Sequence, residues 1–116
     1  MSLIKNKVNI FNLIKDNAAL TPDSGDVVFH EIDTILNKKE IAEIDFSGID
    51  FLTTAFLNAA IGQLYSKYTS EELNEFLSIQ HMAAPDKVLL RIVIDRAKEY
   101  FTNKDKFEQD FSDIQE

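Results

Sequence analysis

Ile41-Ala42-Glu43-Ile44-Asp45-Phe46 is a short, mostly apolar run that stops at Ser47-Gly48. It suits a strand near the middle of a sheet better than a helix of so few residues. From Thr53 to Tyr68 two helical stripes then interleave, one of Phe56, Ala60 and Leu64 and another of Leu57, Ile61, Leu64, Tyr65 and Tyr68. A helix apolar over so much of its girth is expected to be buried. Strand, tight loop and buried helix in immediate succession point to an α/β fold, and the flanking segments extend that order.

Upstream, Lys7-Val8-Asn9-Ile10-Phe11-Asn12-Leu13-Ile14 has the β-branched and aromatic content of a first strand, and Thr21-Pro22-Asp23-Ser24-Gly25 reads as the turn after it. Val28, Ile32, Ile35 and Leu36 predict a first helix over Asp26 to Lys38, with Thr21 or Ser24 as N-cap and Lys38-Lys39 at the negative end of its dipole. Downstream, Thr69-Ser70-Glu71-Glu72 has the form of a capping box. Phe76-Leu77-Ser78-Ile79-Gln80 predicts a third strand. Pro85 opens a helix from Asp86 to Phe101 whose inner face is Leu89, Ile92, Val93, the Arg96 stem and Tyr100. The β-α-β-α-β-α order implies a central, mostly parallel sheet with right-handed crossovers that cover it with helices. One small domain over residues 1–101 is expected. An acidic tail over residues 102–116 spaces Phe107, Phe111 and Ile114 four and three apart, as a docking helix or a frayed terminus.

Composition narrows the function. The 116 residues are 45% hydrophobic, enough for one core and too few for a second domain. There is no cysteine, so disulfides, thiolate metal sites and thiol nucleophiles are excluded. The polar N-terminus and the lack of a long apolar run predict a cytoplasmic protein without a membrane segment. Twelve basic against twenty acidic residues, a net charge of −8, repel nucleic acid and anionic membranes. The same charge favours a basic protein partner, or serves solubility alone.

Chemical signatures are sparse. Gly25, Gly48 and Gly62 form neither a dinucleotide fingerprint nor a P-loop, and no Gly-x-Ser-x-Gly elbow occurs. His30 and His81 lack metal-ligand spacing, and Asp45 with Asp50 is an acidic pair with no sequence sign of a cleft. The chain is therefore not expected to be an enzyme or to hold a cofactor or metal.

The informative stretch runs from Ile44 as Ile-Asp-Phe-Ser-Gly-Ile-Asp-Phe-Leu-Thr-Thr-Ala-Phe-Leu-Asn-Ala-Ala-Ile-Gly-Gln-Leu. Physically, Thr53 or Thr54 is placed to cap the second helix, a role worth about 1 kcal/mol, and Asp45 beside Ser47-Gly48 is placed to accept loop N–H bonds. The stretch also resembles the STAS superfamily of anti-sigma-factor antagonists and sulfate-transporter tails. More narrowly, it is similar to the STAS-like family of unknown function in which a Thr/Ser pair precedes Ser-Phe and a helix. Aligned on Phe51, the antagonists' Asp falls on Thr53, their first Ser on Thr54, their phosphorylated Ser on Ala55 and their Gly on Phe56.

The resemblance, covering roughly Lys7 to Phe101, implies a regulatory module of the bacterial cytoplasm that binds another protein. A kinase-like ATPase or anti-sigma-type regulator is the implied partner. The binding face is expected at Asp45, Ser47, Thr53, Thr54, Phe56 and Asn58. With alanine at the acceptor position, the phosphoserine switch is expected to be lost, and Thr54 or Thr53 would take the phosphate only if the register shifts. Two other readings stand beside it: a small anionic ligand, nucleotide or phosphate, at the N-terminus of the second helix, and a structural homodimer through exposed apolar residues of the last helix or the tail.

Overall fold

The structure, a computed structural model, describes the backbone of residues 3–115 and the side chains of residues 3–101. In chain order its elements are β1 (Lys5–Asn9), α1 (Ile10–Ile14), β2 (Ala18–Ala19), α2 (Pro22–Asn37), β3 (Ile41–Asp45), β4 (Phe51–Leu52), α3 (Thr54–Ala60), a 3₁₀ segment (Gly62–Ser66), α4 (Ser70–Phe76), β5 (Leu77–Gln80) and α5 (Ala84–Gln115). The expected α/β architecture with a central parallel sheet is present. β3 lies between β1 and β5, parallel to both, with Val8 opposite Ile44 and Ile44 opposite Ile79.

The two crossovers step across the sheet in the same direction, so right-handed connections deliver their helices to the same face. α2 lies against β1 and β3, α4 lies against β3 and β5, and α3 packs on α2. α5 covers α3 and the 3₁₀ segment. Strand alternation records the asymmetry. Val8, Ala42 and Ile44 are buried toward the helices, whereas Lys7 is exposed and Glu43, Ser78 and Gln80 are half-buried on the opposite face. Among the described residues, the expectation that helices cover the sheet therefore holds for one face only.

Beneath the covered face, Val28 and Ile32 of α2 meet Phe56, Leu57, Ile61 and Leu64 in one buried cluster. Gly25 allows the helices to approach: a Cβ there would lie 2.6 Å from the Phe56 carbonyl oxygen and 2.6 Å from the Ala59 Cβ. Only glycine brings the two backbones this close.

Several sequence expectations are corrected. The first strand stops at Asn9, whose side chain accepts the Asn12 N–H and starts α1. Thr21-Pro22-Asp23-Ser24-Gly25 is the capped first turn of α2, with Thr21 accepting the Ser24 N–H and proline at a first-turn position. The helix expected from Thr53 to Tyr68 stops at Ala60 and continues as the 3₁₀ segment from Gly62, a residue of low helix propensity. The inner face of α5 is Leu90, Val93 and Ala97, while Ile92 and Tyr100 are exposed. The Thr69–Glu72 capping box forms in both directions. The side chains of residues 102–116, on which the docking or frayed tail was expected, lie outside those described.

Candidate functional site

The residues singled out by sequence fall into two groups, joined by the hydrogen bond from the Ser47 N–H to Asp45. The first centres on Asp45, the last residue of β3, buried although it belongs to the uncovered face. Its Oδ1 accepts the Ser47 N–H at 2.9 Å and lies 2.9 Å from His81 Nδ1. Its Oδ2 takes a long hydrogen bond of 3.4 Å from Asn9 Nδ2 and lies 3.7 Å from Lys7 Nζ. Burial alone would raise the pKa of this carboxyl. The hydrogen bonds from Ser47 and His81, with the charge of His81, outweigh that penalty and hold it well below the ordinary carboxylate range.

One carboxylate thus ties the end of β1, the loop after β3 and the exit from β5. His81 occupies that exit at φ 57°, in the left-handed region that a non-glycine residue adopts at a cost. Below Asp45, Gln80 Nε2 donates to Glu43 Oε2 at 2.8 Å. The polar groups of the uncovered face are largely satisfied by one another.

The second group lies in the loop from Ser47 to Thr54. Gly48 takes φ 82°, and a Cβ there would touch the Phe11 ring. The Asp50 and Phe51 N–H groups donate to the Asn17 carbonyl, and Asn17 Nδ2 donates to Asp50 Oδ2 at 2.9 Å. β4 pairs in parallel with β2, Ala18 opposite Phe51 and Ala19 opposite Leu52. The Thr53 N–H then donates to the Ala19 carbonyl, and the Thr53 hydroxyl donates to the Leu20 carbonyl at 2.6 Å. Residues 50–53 of the loop are therefore fastened to residues 17–20.

On that frame Phe51 is 62% exposed, with Leu20 at 44% beside it and Phe11 at 42% against Gly48. The neighbouring Ala19 is fully buried, as alternation along the two-stranded ribbon requires.

Thr53 is the N-cap of α3, its hydroxyl accepting the Phe56 N–H at 3.2 Å. Thr54 follows as the first helical residue, half-buried. Ser47, Ala55 and Asn58 are exposed. Phe56 corrects the expected face: it is completely buried among core side chains and borders no surface. Its membership of the apolar stripe with Ala60 and Leu64 was the sign of this.

The N-terminus expected to hold an anion belongs to a helix of only seven residues, and Thr53 already satisfies one of its free N–H groups. The order β1-β3-β5 contains no reversal, the arrangement that opens a ligand crevice at the strand ends of α/β sheets. Among the described residues, no group of three or more His, Asp or Glu side chains converges as a metal site. No helix among them is long and apolar enough to cross a membrane.

Sequence reading missed Lys7, Asn9 and Gln80, and it weighed His81 only as a metal ligand and not as a partner of Asp45. The signal was the alternation of Lys7 and Asn9 with Val8 and Ile10, and of Ser78 and Gln80 with Leu77 and Ile79. Two strands polar on alternate positions share a polar face once they flank the same neighbour.

No curated protein and no solved structure matches the chain. Residues 24–87, more than half of its length, match the family described as STAS-like domain of unknown function (DUF4325), and they include most of α2 and all of β3, the loop from Ser47 to Thr54, α3 and β5. On that match, and with the parallel sheet and capped helix just described, the chain belongs to this family of STAS-like domains.

Proposed function

We propose that the protein is a non-catalytic interaction or regulatory module of the cytoplasm, whose docking face is the loop from Ser47 to Thr54 with Phe51 as its anchor. The observation that carries this reading is a phenylalanine 62% exposed on a backbone fastened to residues 17–20. An aromatic on a hydrogen-bonded backbone costs little conformational entropy on docking, and aromatic residues, phenylalanine among them, are enriched at protein interfaces. Leu20 and Phe11 extend the apolar surface, and Ser47 and Asn58 supply polar contacts at its margin. Asp45 acts on this face indirectly, by holding the Ser47 N–H.

The partner suggested by the resemblance to anti-sigma-factor antagonists is a kinase-like ATPase or a regulator of that type. Binding is constitutive in this proposal. Ala55 offers no hydroxyl at the acceptor position, and the Thr53 hydroxyl is engaged both as donor and as cap.

The test is affinity purification of the tagged protein and its Phe51→Ser variant from the native host, with mass spectrometry of bound proteins and of Thr53 and Thr54. A specific partner recovered with the wild type, depleted at least tenfold with the variant, and found with both threonines unmodified is the expected result. Equal recovery with the variant would remove the proposed face. A phosphate on Thr54 or Thr53 would restore a switch. The homodimer reading rests on a separate observation, the exposure of Val88, Ile92 and Tyr100 on α5. Light scattering that reports only monomer at high concentration would eliminate it.

A further inference from the structure

The exposed apolar side chains at the loop end sit in an acidic frame. Asp50 immediately precedes Phe51, Asp16 accepts the Ala18 N–H at 3.0 Å at the start of the paired ribbon, and Asp23 lies in the first turn of α2 just past Leu20. All three are exposed, and Lys15 is the single basic residue in the segments 15–23 and 47–54. Asp16 accepts from an N–H group and Asp50 from an amide, and among the described residues neither takes part in a salt bridge.

The uncovered sheet face is built differently: Lys7 lies beside Asp45 there, and the β1 lysines offset its carboxylates. The segment Glu71, Glu72 and Glu75 of α4 is acidic as well, but of the apolar residues it carries Leu73 is buried and Phe76 is half-buried against the core. Exposed apolar area and uncompensated negative charge coincide at the loop end.

Resting on the proposed docking face, we infer that its partner presents an apolar side chain flanked by lysine or arginine. The apolar group would cover Phe51 and Leu20 while the cations meet Asp16, Asp23 and Asp50 around the rim. Apolar anchors set how long such a complex lasts, and rim charges set how fast and how selectively it forms. The chain's net charge of −8 adds long-range attraction of the same sign.

A defined probe tests the chemistry without knowledge of the partner. An amphipathic peptide of leucine and lysine, and a twin with glutamate in place of lysine, are titrated into the ¹⁵N-labelled full chain and followed by amide chemical shifts. The lysine peptide is expected to move amides in residues 16–23 and 47–54, and the glutamate twin to move none. In the double variant Asp16→Asn, Asp23→Asn the affinity is expected to fall about fivefold in low salt, with the difference vanishing at high salt. Asparagine keeps an oxygen to accept the Ala18 N–H, and the variant's melting curve confirms that it folds.

Shifts centred on Glu71, Glu72 and Glu75 would overturn the inference, because bulk acidity alone would then explain binding. Equal binding of both peptides would overturn it as well, as would no binding of either. If the lysine peptide fails while Phe51→Ser still abolishes capture of the native partner, the docking face stands and the cationic chemistry falls. If the peptide binds as expected but the native partner ignores Phe51→Ser, the face itself is not the partner's.

Discussion

The uncovered face of the sheet and the loop end beside it are both open to water, yet they are built on opposite principles. On the sheet face, polar groups answer one another: Gln80 with Glu43, and Asn9, Lys7 and His81 with Asp45. Nothing there gains by being covered, since each group would exchange one satisfied environment for another. At the loop end the backbone of residues 50–53 is paired with residues 17–20 while side chains stay uncovered, with Phe51 and Leu20 left in water on that ribbon and Phe11 exposed beside Gly48. Parallel sheets are ordinarily covered on both faces. A polar, self-paired surface lets this one go without a second layer, whereas an exposed aromatic on a fixed frame has no such internal reason.

The largest effect that sharpens this contrast comes from two phenylalanines five positions apart. Phe56→Ala should cost about 3 to 5 kcal/mol in urea denaturation, because it empties a site in the middle of the core. Phe51→Ser should change stability by less than about 0.5 kcal/mol, as surface substitutions away from special features do. A Phe51→Ser variant that unfolded easily would show that the ring belongs to the fold, and the loop end would lose its claim to be a docking surface.

Next in size is Asp45→Ala, which leaves the Ser47 N–H and the Asn9 amide without their acceptor and should cost about 1 to 3 kcal/mol. Its signature is pH dependence. The folded carboxyl titrates well below its unfolded value, so the unfolded chain binds more protons between the two. The stability Asp45 contributes is complete above the ordinary carboxylate range, near about pH 4. It is lost as the pH falls through the folded value. Denaturation of Asp45→Asn across the acid range should show a shallower decline than wild type. Part of the slope survives, because Lys67 and Tyr68 more than offset burial at Asp33 and lower its pKa too. An unchanged slope in Asp45→Asn would mean that the network on the sheet face is not held by charge.

His81→Ala should follow at roughly 0.5 to 1 kcal/mol, since it removes one exposed partner of a buried carboxylate and keeps the left-handed backbone. His81→Gly should recover part of that loss by relieving the backbone. A greater loss in the glycine variant would mean that the left-handed backbone at this position carries little strain and that glycine's added freedom in the unfolded chain outweighs its relief.

What sequence could and could not announce follows the range of the interactions. The Thr69–Glu72 box and the cap of α3 depend on residues three apart; the box was legible, and the cap was narrowed to Thr53 or Thr54, of which the structure uses Thr53. The core strand over residues 41–45 was legible from its composition. α1 was not. Three of its five residues are β-branched or aromatic, and the segment turns into a helix because Asn9 caps it while the Asn9 amide is held by Asp45, thirty-six positions away. Proline at the first helical position could have located the start of α2, but Thr21-Pro22-Asp23-Ser24-Gly25 satisfies turn statistics equally well. Gly25 looked like part of that turn until α3 stood against it. Phe56 was misplaced because a motif alignment spoke for the surface while its own stripe spoke for the core. The pair His81 and Asp45 is a product of strand order, which no spacing within a single segment encodes.

The smallest effect is the most demanding test of the comparison. Lys7 Nζ lies 3.7 Å from Asp45 Oδ2, beyond hydrogen-bond range, and the lysine side chain is more than half exposed. Attraction at that distance is weakened by water and salt, and fixing the long side chain has an entropic cost. Lys7→Ala should therefore alter stability by no more than about 0.5 kcal/mol, with the difference shrinking as salt is added. Lysine on an edge strand also discourages pairing with another chain, so the variant's association state is worth following in the same samples. A loss above about 1 kcal/mol that resisted salt would mean that Asp45 and Lys7 interact out of reach of solvent. The sheet face would then be a closed structure awaiting a cover, and the distinction between the two surfaces would fail at its stronger end.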